Sequence, residues 1–375
     1  MAQASLTTEQ KQEAVDAVVN YGSQNEAARR LGLNRATFLH RYRAGIKAGL
    51  DQAIVHPAPQ GHTVKGVSTL YGPTGNVVAQ WIKTRSGEED PDAVAERIRE
   101  IFEGLAPAAT VSAPTYNDSD LLTVYPIADA HIGMRAWSKE TGESYDTDIA
   151  VARLRAWIGR LVASSPPSHE AIILDVGDTT HMDDGTNQTP ASKHILDVDG
   201  RFFRTLEMTI SAMADATELA LAKHARVHIV IIAGNHNPHS YMAILFALAE
   251  RYRDNPRVTV RKDPREFWAH RFGDCLLSAH HGDKAKPERL VMFLADEYAE
   301  EWGATKHRFL WTGHMHHHRS ADIGGVKWEQ LRAMTARDAY AYTHAYSARA
   351  QLQAITLHRT AGEVQRQAVS SYSVG

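Results

Sequence analysis

Histidine, aspartate and asparagine recur in this chain in five short clusters able to hold a metal. In order they are Asp129-Ala-His131, Gly177-Asp178, Gly234-Asn235-His236-Asn237, His280-His281-Gly282-Asp283 and Gly313-His314-Met315-His316. Carboxylate, carboxamide and imidazole donors suit Mn2+, Fe or Zn2+. A D-x-H or H-x-H spacing puts both side chains on one side of an extended segment. Glycines beside the donors let the backbone turn sharply there. One surface histidine pair is ordinarily just solvated. Five clusters in series, each directly after a short apolar run, point to a bound metal centre.

The apolar runs lie at 121–128, 171–176, 227–233, 275–279 and 309–311. Helical patterns near 147–164, 199–224, 239–254 and 287–303 separate them. Buried strands alternating with helices predict an α/β fold with a layered αββα core. Polar residues at strand ends are where such folds place their chemistry. Two last strands, 350–358 and 364–370, alternate well enough to close a sheet.

The cluster order D-x-H, G-D, G-N-H, H and G-H-x-H resembles that of the calcineurin-like metallophosphoesterases, from Leu121 to the C-terminus. The five motifs together are specific for that superfamily and not for a substrate. The resemblance implies two divalent metals. Asp129, His131 and His316 would hold the first, Asn235, His281 and His314 the second, and Asp178 would bridge them. It favours His281 over His280, because the family ligand commonly precedes glycine. Mn2+ is the expected metal, with Fe or Zn2+ also suited to the donors. Two such metals acidify a water for attack on phosphorus and clamp the phosphate oxygens. His236 matches the histidine that stabilises the transition state or protonates the leaving oxygen. Relatives usually carry Asp or Glu next, where this chain has Asn237. A carboxamide there accepts a hydrogen bond but supplies no charge, so activity on poor leaving groups is expected to suffer most.

Between the second and third clusters lie His181, Asp183, Asp184, Asn187, Thr189, His194, Asp197, Asp199 and Arg201. They read equally as a surface loop and as a substrate-facing one. Asp197 or Asp199 would cap the helix that follows, and Arg201 would grip a phosphate bidentately. Lys284 would meet phosphate or face water. His317 and His318 read as edge residues. Trp328, Tyr340, Tyr342 and Tyr346 read as a layer of core in preference to a surface for stacking on bases.

The first fifty residues are helical in pattern. Ser23 precedes Glu26 by three, a capping-box start; Gly32 breaks the pattern, and Asn34 can cap a further helix. Helix, tight turn and helix is the helix-turn-helix pattern. Arg35, Thr37, His40, Arg41 and Arg43 of its last helix could touch DNA phosphates or base edges. Strands at 64–71 and 76–84 around a Gly72–Gly75 turn, a helix from Asp90 to Leu105 and a linker at 106–120 follow. The expected domains are therefore 1–53 (helix-turn-helix), 54–120 (hairpin, helix and linker) and 121–375 (catalytic).

The chain has 375 residues, 43% of them hydrophobic and 23% charged, so wholesale disorder is excluded. One cysteine, Cys275, excludes an intrachain disulfide, and a reducing cytoplasm is the expected location. Neither a signal segment nor a membrane helix is apparent in the sequence, so no membrane association is expected. A net charge of -3 excludes a general cationic coat but not a local basic patch. A DNA-binding motif joined to a phosphoesterase points to DNA as substrate. The layout, with Asp197-Val-Asp-Gly-Arg201, is similar to the SbcD-like DNA-repair exonucleases and their phage-borne members. The expected function is a two-metal phosphodiesterase, a DNA nuclease in processing, repair or recombination. The alternatives are a phosphoesterase on small nucleotides or phosphoproteins, and a DNA-binding protein with a weak metal site. A homodimer is expected on the frequency of two-fold assemblies. A partner ATPase or recombination protein is compatible with the layout, and nothing in the chain demands one.

Overall fold

A computed structural model describes residues 6–48, 62–71, 77–86, 108 and 112–371. The chain divides into two compact units, residues 1–99 and 100–375. The expected helix at 90–105, the Gly72–Gly75 turn and residues 106, 107 and 109–111 of the expected linker lie outside the described residues.

In the first unit, α1 (Thr8–Tyr21), α2 (Gln24–Arg30) and α3 (Arg35–Lys47) enclose a small core of Ala14, Ala17, Ala27, Ala28 and Phe38. Side-chain caps start each helix. Thr7 accepts from the Gln10 N–H, Ser23 from that of Glu26, and Asn34 from that of Thr37, which satisfies donors the helix leaves unpaired. The Glu26 carboxylate does not complete the expected box; it binds Arg29 and Arg30. Strands β1 (His62–Tyr71) and β2 (Val77–Ser86) pair antiparallel.

The second unit carries β3 (Asp118–Ile127), α4 (Thr147–Ser164), β4 (Ser168–Asp175), α5 (Phe202–Leu221), β5 (Arg226–Ile231), α6 (Ser240–Arg251) and β6 (Val258–Val260). Then come β7 (Trp268–Phe272), β8 (Cys275–His280), α7 (Pro287–Glu297), β9 (His307–Thr312), β10 (Arg319–Ile323), β11 (Val326–Gln330), β12 (Gln351–His358) and β13 (Gly362–Ser370). One sheet runs β13-β12-β3-β4-β5-β6, the other β10-β11-β9-β8-β7. Strands β3 to β6 are mutually parallel, as are β8, β9 and β11.

Alternation along the central strands builds the layers. Ala171 and Ile173 of β4 join the core under α4, α5 and α6, with Leu154, Trp157, Ile210, Met213, Ile244 and Leu248. Their neighbours Ile172 and Leu174 face Leu277, Phe309 and Trp311 of the other sheet. That second sheet turns Leu276, Leu310 and Trp328 outward onto Leu290, Val291 and Leu294 of α7. Apolar residues on both faces of each strand therefore demand cover on both sides, and the result is the α/β, layered αββα arrangement. Because β3, β4 and β5 run parallel, their C-terminal ends meet at one edge, and the loops after β8 and β9 bring further donors to the same place.

Candidate metal centre

The five clusters sit just past the ends of β3, β4, β5, β8 and β9, and the structure brings them together. The donor atoms of Asp129, His131 and His316 converge within 4.8 Å of one another, and so do those of Asp178, His281 and His314. His131 Nε2 lies 3.1 Å from His316 Nε2, and Asp129 Oδ1 lies 3.4 Å from that same nitrogen. Asp178 Oδ2 stands 3.2 Å from His281 Nε2 and 3.9 Å from His131 Nε2, between the two groups. Asn235 Oδ1 is 3.0 Å from His281 Nε2, on the side of the second group.

The donor set fits two cations. His281 turns Nδ1 to the Val176 carbonyl at 2.9 Å, which leaves Nε2 facing its partners. Asp129 and Asp178 are buried carboxylates, and buried charges of this kind are paired or coordinate metals. Burial holds the His131 imidazole well below its ordinary pKa, in the neutral form a metal needs. Burial also draws His281 down, but the Asp178 carboxylate overrides it and pushes that imidazole up to about 10. Asp178, beside that imidazole, is itself held well below the usual carboxylate range.

The backbone here is not extended, as the D-x-H spacing suggested. Asp129, His131, Asp178, His314 and His316 all have φ between +43° and +69°, a region uncommon for residues with a side chain. Tight left-handed turns, not a pleat, aim the donors. Gly177 and Gly234 are required by close approach: a Cβ on the first would strike the His281 ring and one on the second the Asp178 carboxylate.

His236 and Asn237 take roles the sequence did not separate. His236 Nδ1 lies 2.8 Å from the His181 carbonyl and donates to it, and the His236 N–H binds Asp178 Oδ1 at 2.8 Å. Asn237 does not hold His236. Its Oδ1 accepts from the backbone N–H groups of Asp178 (3.2 Å) and Gly234 (3.0 Å), clasping the loops after β4 and β5 together.

Two residues take places in the site that the sequence reading did not assign them. His181, left among loop residues there, is buried, with Nδ1 3.1 Å from His131 Nδ1, and it forms a third donor group with His131 and His236. Its place three residues after Asp178 was the available signal. Asp175, the last residue of β4, accepts from Gly177 N–H and Thr179 Oγ1, and burial pushes its carboxyl up to about 7.

Other expected site residues lie elsewhere. His280 turns away from the donors and accepts from Gly282 N–H. Lys284 is held by both oxygens of Glu266 at 2.6 Å. Arg201 is exposed at the start of α5. Asp199 does not cap the helix that follows it: Oδ2 accepts from Thr147 N–H at 3.0 Å in the first turn of α4, whose own cap is Asp146, accepting from Ile149 N–H at 2.8 Å, and Arg135 and Arg204 pair with Asp199. Asp183 caps α6, accepting from His239 and Ser240 N–H. Of the four aromatic residues read as core, only Trp328 is buried; Tyr340, Tyr342 and Tyr346 are each more than half exposed. On α3, Arg35, His40 and Arg43 are exposed and Thr37 is half-buried. Arg41 lies against α1, 3.7 Å from Glu13.

No protein-family model matches the chain, and neither does any curated protein. Solved structures are similar in fold. A dimetal phosphatase from Danio rerio is 9% identical, over 68% of this chain and 99% of that one, with a TM-score of 0.37. An archaeal phosphodiesterase is 10% identical, over 66% and 99%, with a TM-score of 0.34. Vacuolar Protein Sorting 29 from Cryptosporidium parvum is 13% identical, over 68% and 98%, with a TM-score of 0.30. Likenesses this distant concern the fold alone, and function must be argued from the side chains.

Proposed function

We propose that this chain is a two-metal phosphodiesterase that cuts DNA, with Mn2+ as its metal and Fe or Zn2+ accepted by the same donors. The observation that supports this best is the convergence of Asp129, His131 and His316 with Asp178, His281 and His314 around one shared carboxylate. Two divalent ions held there supply charge for the phosphate oxygens and acidify a water for attack on phosphorus. The chain's own residues do the rest. Asp178 ties the two halves, and Asn235 completes the second. With Nδ1 given to the His181 carbonyl, His236 keeps Nε2 for the leaving oxygen, as hydrogen-bond donor or general acid. Arg201, exposed at the start of α5, meets a phosphate.

The first unit supplies DNA contact. Arg35, His40 and Arg43 share the exposed side of α3 with Lys47, suited to phosphates and base edges. The protein works in DNA processing, repair or recombination, as a homodimer.

The test offers linear DNA, circular DNA and bis-p-nitrophenyl phosphate with Mn2+ to wild type, Asp178→Asn and His236→Ala. Cleavage of DNA, abolished by both substitutions, is the expected result. Hydrolysis of the aryl ester with all DNA left intact would instead assign small nucleotides or phosphoproteins as substrate. No turnover of either, with metal bound, would make this a DNA-binding protein with a silent site.

A further inference from the structure

Two chain segments leave the metal centre and end in exposed rings. One runs from Asp129 and His131 to Trp137. The other is hydrogen-bonded to the first at its root, Met334 N–H to the Ala128 carbonyl (3.0 Å) and Thr335 N–H to that of Asp129 (3.3 Å), and it carries Tyr340, Tyr342, His344 and Tyr346. The two meet again further out: Trp137 and Ala339 line one cleft of about 240 Å³ with Arg135 and Asp197. Arg337 fastens them there by donating to the Thr141 carbonyl at 3.3 Å.

The rings lie close together. Tyr340 and His344 stand 4.1 Å apart, centre to centre, and His344 and Tyr346 6.0 Å apart with planes 27° from parallel. Asp338 caps the turn that holds them, accepting from Ala341 N–H at 2.7 Å. Two other rings carry a cation on one face: Lys139 lies 5.5 Å from the centre of Trp137, and Arg337 5.3 Å from that of Tyr342. Trp137 and the three tyrosines are each more than half exposed. Rings left in water lose the burial that ordinarily holds aromatic residues in place.

We infer that this aromatic row is a platform on which the bases of single-stranded DNA stack as the strand approaches the metal centre, a reading that rests on the phosphodiesterase function proposed above. A nucleotide offers a flat apolar face and a nearby negative charge, and a ring beside a cation answers both. Glu140 and Asp197 line the same cleft, and their charge disfavours phosphates inside it. The affinity therefore comes from stacking, with Lys139 and Arg337, each over one face of a ring, serving the phosphates. Stacking of this kind is indifferent to sequence, since every base has a face.

The test uses the full chain loaded with Mn2+ and a fluorescein-labelled, phosphorothioate-linked oligo(dT) of twenty nucleotides, read by anisotropy across a salt series. Tyr340→Ala with Tyr346→Ala, and Trp137→Ala separately, should each weaken binding roughly tenfold at every salt concentration. Tyr340→Phe with Tyr346→Phe keeps the rings and should bind like wild type. All variants should hydrolyse bis-p-nitrophenyl phosphate at the wild-type rate, since none touches a metal donor. Unchanged oligo(dT) affinity in the alanine variants overturns the platform. So does a wild-type dimer that those substitutions dissociate with no change in DNA affinity, which would assign the surface to a second copy of the chain. Loss of aryl ester hydrolysis by wild type itself would strike the phosphodiesterase reading and leave the ring-dependent binding standing.

Discussion

Asn237 shows how one side chain can be placed correctly and still be misread. Next to His236, it looks like the partner that orients the imidazole. The structure gives that work to the His181 carbonyl and gives Asn237 the backbone of the Asp178 and Gly234 loops. Asn237→Ala should therefore strand two buried N–H donors, at a cost on the order of 3 kcal/mol, and loosen Asp178 with them. Asn237→Asp keeps an oxygen to accept both N–H groups. It should leave the ratio of rates on good and poor aryl leaving groups unchanged, where a carboxylate acting on His236 would raise the poor ones selectively. Steady-state rates on a leaving-group series separate the two. The donors themselves were legible, because imidazoles and carboxylates directly after apolar runs have few structural uses. Which backbone a buried carboxamide clasps was not legible, because it depends on two loops 59 residues apart meeting.

Elements were legible where periodicity carried them. The helix expected at 147–164 is α4 to the residue, and the five apolar runs are β3, β4, β5, β8 and β9. Two local features were not. The left-handed turns at Asp129 and His131 arise where sheet edges force the chain round into the site, and no propensity marks them. Asp146 caps α4 locally, but a second bond to its first turn comes from Asp199, 52 residues away, because the loop before α5 folds back over α4. Asp199→Ala removes that bond to Thr147 N–H and the ion pairs to Arg135 and Arg204. It should destabilise the protein by about 1–2 kcal/mol, a fall of roughly 2–8 °C in melting temperature for a unit of this size. The same loop carries Asp183, whose cap on α6 sets the chain beside His236. Calorimetry of Asp199→Ala against Asp199→Asn, which retains an acceptor, should show the smaller loss in the asparagine variant.

At the scale of the molecule, net charge and buried histidine set how it responds to its solvent. With a formal charge of -3, no general field holds it on DNA. Under the proposed function, duplex binding would rest on α3, with Arg35, Arg43 and Lys47 as its exposed cations. The logarithm of affinity should fall against that of salt with a slope of about -3, and Arg43→Ala should lessen it by about one. Acid stability turns on a different residue. His224 is fully buried, with Nδ1 2.9 Å from the Ser168 carbonyl and Nε2 2.8 Å from the Tyr125 hydroxyl, so it joins β3 and β4 to the end of α5. Burial lowers its pKa from 6.5 to about 4. The unfolded chain therefore binds a proton at His224 before the folded one does. The stability this neutral ring contributes is complete above pH 6.5 and drains away as pH falls towards 4, by on the order of 3 kcal/mol. His270 and His280, also drawn down by burial, add to the loss in the same direction. His224→Gln should start less stable at pH 7 and lose less between pH 7 and 4 than wild type. Urea denaturation at the two pH values measures both, and equal losses in the two proteins would show that the ring is already charged in the folded state.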